Sequence, residues 1–94
     1  MDHISRATIA TPKASSYLQQ LCKHLGHKLE TQVSPDAGSI AFGFGSAELR
    51  AQDGALHMTA EAGNDADLDR LRTVLTSHLE RFAFREVLSV DWKD

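Results

Sequence analysis

The run GSIAFGFGSAELRAQDGALHMTAEA, Gly38 to Ala62, alternates apolar and polar side chains for most of its length. Ile40, Phe42 and Phe44 alternate with Ala41 and Gly43. After a break at Gly45-Ser46, Ala47, Leu49 and Ala51 alternate with Glu48, Arg50 and Gln52. Beyond Asp53-Gly54, Leu56, Met58, Ala60 and Ala62 alternate with His57, Thr59 and Glu61. Side chains in an extended chain point to opposite sides in turn, so each segment has one apolar face. Asp-Gly supplies the two positive-φ residues that a tight hairpin needs. Upstream, Leu29, Thr31 and Val33 alternate with Glu30 and Gln32, and Ser34 to Gly38 reads as a loop. Four short strands joined by tight connections predict an antiparallel meander, wet on one face and covered by helices on the other.

The covering elements lie on either side of this run. Thr11-Pro12 is a helix start, because Thr caps free N–H groups and Pro at the first position loses no hydrogen bond. Ala14, Tyr17, Leu18, Leu21, Cys22 and Leu25 then form one stripe, and Gly26 is placed to end the helix in the left-handed conformation. A second helix is predicted from Asp65 to Phe82. Asn64 is its cap, Asp65, Asp67 and Asp69 sit at the positive end of its dipole, and Leu68, Leu71, Val74, Leu75, Leu79 and Phe82 form its apolar face. His3–Thr11 and Leu88–Trp92 read as terminal strands. The expected fold class is α+β: strand, helix, four-strand meander, helix, strand, with both helices on one face of the antiparallel sheet and residues 1–94 forming one domain.

Composition narrows the function classes. At 94 residues the chain has room for one core and a shallow groove. No apolar run approaches the ~20 residues that span a bilayer. Met1-Asp2-His3 lacks the basic flank and apolar stretch of a secretory leader. A single cysteine makes no internal disulfide, which fits a reducing cytoplasm. A net charge of −3 gives no reason to expect a nucleic-acid partner. Cytoplasmic localisation is therefore expected, with neither nucleic acid nor membrane as partner.

Histidine supplies most of the candidate chemistry, because its ring gains and loses a proton near neutral pH. His24 falls in the last turn of the first helix, on the flank of the apolar stripe. His27 is expected to open a strand on the face of Leu29. His78 projects between Val74, Leu71 and Phe82, inside the apolar stripe, where a polar ring must find a partner. One reading is a core-edge histidine held by a neighbouring carbonyl or carboxylate; the other brings His78 against His24 or His27 where the helices pack. His3 and His57 have no helical pattern to orient them.

Cys22-Lys23-His24-Leu25-Gly26-His27 gathers metal-ligating residue types, but Cys22 and His24 point about 200° apart on a helix and cannot share an ion. No metal or cofactor is expected. Gly43-Phe44-Gly45 lacks the lysine and following helix of a phosphate loop, and no nucleophile elbow is present. Catalysis is thus unmotivated. Charge is informative: residues 3–29 carry Arg6, Lys13, Lys23 and Lys28 and no acid, hence +4, whereas residues 30–70 set eight acids against Arg50 and Arg70, hence −6. Side by side, the helices would carry a basic rim of His24, Lys28, Arg81 and Arg85, suited to a carboxylate or phosphate.

Two stretches, Tyr17-Leu18-Gln19-Gln20-Leu21-Cys22-Lys23-His24-Leu25-Gly26-His27-Lys28 and His78-Leu79-Glu80-Arg81-Phe82-Ala83-Phe84-Arg85-Glu86, resemble the hallmark blocks of a bacterial family called domain of unknown function 2218. The Gly38–Gly45 stretch and the closing Trp92 are similar to it too, while Leu25 stands where a bulkier aromatic is expected. The resemblance implies no established activity. Some relatives occur joined to, or near, siderophore-interacting flavin reductases, which implies a link to iron acquisition by context alone. The blocks contain His24, His27, Lys28, His78, Arg81 and Arg85, candidates for one ligand site between the helices. Three readings are carried forward. The first is a binding or accessory domain for an anionic small molecule or an acidic protein partner, with a siderophore-interacting reductase as a further partner that the resemblance implies. The second is a metal-dependent or histidine-based catalyst, and the third a homodimeric interaction module.

Overall fold

In the computed structural model, residues 3–83 and 90–93 are described. The elements are β1 (His3–Ala10), α1 (Ala14–Leu25), β2 (Glu30–Val33), β3 (Ala37–Phe42), β4 (Gly45–Gln52), β5 (Ala55–Ala62) and α2 (Asp65–Phe82). The five strands form one antiparallel sheet in the order β1-β5-β4-β3-β2. The meander is therefore β2 to β5, and β1 joins it beside β5. This is the α+β architecture expected from the alternating pattern.

The inward face of the sheet carries Ala7, Ile9, Ile40, Ala47, Leu49, Leu56, Met58 and Ala60, which merge with the apolar stripes of both helices into one core. Leu18, Leu21, Cys22, Leu71, Leu75 and Leu79 are fully buried in it. Arg6, Glu48 and Arg50 point the other way and are exposed. Burial of this kind contributes roughly 25 cal/mol per Å² of apolar surface, and it sets the strand register, since a one-residue slip would turn the apolar row to water.

Helix α2 has the predicted limits. The Asn64 side chain accepts the Asp67 N–H at 2.8 Å and donates its amide to the Asp67 carboxylate at 3.0 Å. The Asp53-Gly54 turn is also as expected, with φ of 55° and 71° joining Gln52 to Ala55.

Several expectations are corrected. Helix α1 starts at Ala14 with Lys13 at its cap position; Thr11 instead accepts the Lys13 N–H through its hydroxyl at 3.2 Å. Gly26 keeps a right-handed conformation, φ −65°. Its missing side chain matters for space, because a Cβ would lie 2.8 Å from both the Cys22 carbonyl oxygen and Thr31 Oγ1. His27 belongs to the turn after α1, is exposed, and does not open a strand; β2 begins at Glu30.

The break between the third and fourth strands falls at Gly43-Phe44, with Phe42 paired to Gly45, so Gly45 is a strand residue and Phe44 a turn residue. The expected loop Ser34–Gly38 likewise shrinks, because Ala37 and Gly38 already belong to β3. Both glycines sit under helices. A Cβ at Gly45 would lie 2.5 Å from the Glu61 carbonyl and 2.7 Å from Leu71 Cδ1, and one at Gly38 would lie 2.6 Å from Cys22 Sγ.

Of the expected C-terminal strand, Leu88 and Ser89 lie outside the described residues. Val90, Asp91 and Trp92 do not form a regular strand, but Lys93 exchanges two backbone hydrogen bonds of 2.8 Å with Arg6 at the free side of β1. The Trp92 indole N–H donates to Thr76 Oγ1 at 2.9 Å, pinning this segment to α2.

Candidate functional site

Helices α1 and α2 pack against each other on the sheet, and the last turn of α1 lies against the C-terminal part of α2. That packing places His24 beside His78, with ring centroids 5.1 Å apart and planes tilted by 51°. His78 is half-buried, and its Nδ1–H donates to the Val74 carbonyl one turn back at 2.8 Å, since a carbonyl only accepts. In the neutral ring the lone pair is therefore on Nε2. His24 is exposed on its other side and meets the edge of Phe82 at 5.8 Å. Both readings of His78 thus hold at once: a carbonyl partner and contact with the neighbouring helix.

The two imidazoles border a groove of about 470 Å³. Leu25, His27, Lys28 and Leu29, where the chain leaves α1, line one side of it. Phe42 and Phe44 from the β3–β4 hairpin line a second side, their rings 5.6 Å apart. Arg70 and Val74 of α2 complete it, preceding His78 along the helix at intervals of four residues. Arg70 lays its guanidinium over the Phe44 ring, 4.0 Å from the centroid, and one of its nitrogens is 3.7 Å from the Asp67 carboxylate. Such a stacked guanidinium keeps edge N–H groups for an acceptor. The lining holds imidazoles and two fixed cations but no carboxylate, hydroxyl or thiol. What it can do chemically is hold an anion that also has an apolar body.

Of the residues singled out from the sequence, His24, His27, Lys28 and His78 line this groove. Arg81 is exposed on α2 one turn beyond His78 and does not line it. Arg85 lies outside the described residues. Arg70, Phe42 and Phe44 were not singled out. For Arg70 the helix period places positions 70, 74 and 78 on one face, but nothing in the sequence marks that arginine as part of a site. For Phe44 the signal was masked by the misplaced hairpin turn.

Two other chemically notable residues, His57 and Cys22, are accounted for locally. His57, on the outer face of the sheet, uses both ring nitrogens: Nε2–H donates to the Gln52 carbonyl at 3.3 Å and Nδ1 accepts from the Thr8 hydroxyl at 3.2 Å. Cys22 is fully buried, and burial raises its thiol pKa, so it is held as the neutral thiol. Among the described residues, no three His, Cys, Asp or Glu side chains are grouped to hold a metal ion.

Comparison with solved structures finds the NMR structure of PA4090 from Pseudomonas aeruginosa, 33% identical, with a TM-score of 0.81 over 96% of this chain and 94% of that one. Comparison with curated proteins finds no match. Residues 6–93 match the family described as an uncharacterized protein conserved in bacteria, DUF2218, and the chain belongs to that family.

Proposed function

We propose that this is a non-enzymatic binding or accessory domain. Its groove between α1, α2 and the β3–β4 hairpin takes an anionic ligand or the acidic surface of a partner protein. The observation that carries this reading is the meeting of His24 and His78 in a groove with Lys28 and Arg70 and no carboxylate in its lining. Apolar walls strengthen such a site, because charge–charge attraction is larger where water is excluded. The setting we assign is iron or siderophore handling in the cytoplasm, beside a siderophore-interacting reductase. The genomic company kept by some family relatives supports it, and a lone buried thiol is compatible with a reducing compartment.

The test is a titration of isotopically labelled protein with a ferric siderophore, haem and phosphate, read by NMR. Shifts centred on His24, Lys28, Arg70 and His78 are expected. Shifts confined to other surfaces, or none with any probe, would sink the assignment.

One observation favours a second reading, a homodimer through the sheet edge. Val33 on the edge strand β2 is the large apolar side chain left exposed among the described residues, at 45%. Open strand edges pair readily with a second copy. Sedimentation that depends on concentration, and loses that dependence in Val33→Lys, is the expected signature.

A further inference from the structure

Resting on the groove as the ligand site, the geometry points to a flat aromatic monocarboxylate as the class of ligand that it takes. Five aromatic rings from three separate places in the chain border one space: His24 in the last turn of α1 with His27 just after it, His78 from α2, and Phe42 and Phe44 from the β3–β4 hairpin. The Phe42–Phe44 and His24–His78 contacts, with tilts of 47° and 51°, are each too open to be closed stacks. Tilted ring pairs of this kind present faces and edges to a third ring, which aromatic quadrupoles favour over a saturated body of equal area.

Charge sets the acid. Lys28 and Arg70 are cations, and the carboxylate beside Arg70, Asp67, lies outside the lining at 3.7 Å from one guanidinium nitrogen, which leaves the other N–H groups for the ligand. The groove also lies at the carbonyl end of α1, where the helix dipole is negative. That field opposes a compact dianion such as phosphate more than it opposes one delocalised charge. Helix N-termini, the usual phosphate seats, point elsewhere here: α2 begins at Asp65, more than a turn from Arg70. A volume of about 470 Å³ fits a body of two or three rings with room for water at the carboxylate.

The experiment compares 2-naphthoate with three probes by NMR titration of the intact protein. Its saturated counterpart decahydronaphthalene-2-carboxylate keeps the charge and loses the rings, 2-naphthamide keeps the rings and loses the charge, and inorganic phosphate keeps charge alone. Naphthoate is expected to bind about tenfold or more tighter than each of the others, with shifts at His24, Phe44 and His78. Arg70→Gln, at an exposed side chain, should weaken naphthoate and leave the amide unchanged. Phe44→Leu should narrow the preference for naphthoate over its saturated counterpart. Equal binding of the saturated acid, or tighter binding of phosphate at these residues, overturns the aromatic class and leaves the anion site standing. Groove residues that respond to none of the four probes, while a ferric siderophore moves them, also overturn it. Silence towards every probe in both titrations removes the site itself.

Discussion

His78 occupies a helix position between Leu71, Val74 and Phe82, and an imidazole there must keep at least one nitrogen satisfied. Its bond to the Val74 carbonyl does this locally, and that carbonyl already accepts a backbone N–H within the helix. Removing the imidazole therefore strands no buried acceptor. His78→Leu is expected to change unfolding free energy by less than ~1 kcal/mol in urea denaturation, while abolishing the ligand response of the groove. A large loss of stability would mean that the ring is structural instead. Cys22 behaves in the opposite way, because burial raises its pKa and disfavours only the thiolate. Its contribution to stability is complete below the unfolded thiol's ordinary pKa of about 8.5 and is lost as pH rises from there through the raised folded value. Between pH 8 and pH 10, wild type should lose stability more steeply than Cys22→Ala, and a thiol reagent should label Cys22 only as the chain unfolds. His78 was legible in the sequence because a polar ring interrupts an apolar period. Arg70 was not, because an arginine on an amphipathic helix is ordinary until a neighbouring hairpin supplies the ring it stacks on.

Elements were legible where a local rule had no competitor. Asn64 both caps α2 and exchanges a side-chain bond with Asp67, so Asn64→Ala should cost about 1 kcal/mol, measured by thermal unfolding. The Asp53-Gly54 turn and the strand periodicity were equally plain. Glycine was the failure, because it can end an element or allow another element to approach, and the sequence alone does not separate these uses. In the sequence Gly45 reads as a break, yet it lies in β4 under Leu71, whereas Gly43, in the actual turn, has nothing within 4 Å of where a Cβ would stand. Gly45→Ala is therefore expected to destabilise by roughly 1–3 kcal/mol through overpacking against backbone and Leu71. Gly43→Ala, whose φ is not in the left-handed range, should stay within about 0.5 kcal/mol. Equal effects in chemical denaturation would show that the hairpin turn is placed wrongly, and with it Phe44 and one wall of the groove.

At the scale of the whole molecule, the charge pattern seen along the chain is folded into a different one in space. Lys28 comes from the acid-free first segment and Arg70 from the acidic middle one, yet both line the same groove. The remaining charges leave the molecule at −3 overall, spread over principal extents of 34, 26 and 22 Å. An anion entering the groove therefore feels two opposed fields of different range. At 0.01 M salt the screening length is about 30 Å, so the net negative charge of the whole domain repels the ligand while the two cations attract it. At 0.15 M the length falls to about 8 Å, and the distant acids drop out before the adjacent cations do. Above that, the local attraction is screened as well. Affinity for a groove-bound carboxylate should thus stay within about twofold between 0.01 and 0.15 M sodium chloride and decline only toward 1 M. Titrations at these three salt concentrations measure it. A steep, monotonic loss from the lowest salt upward would instead mean that the ligand sits on a broadly basic surface, where Arg81 and the other exposed cations act together, and not between Lys28 and Arg70.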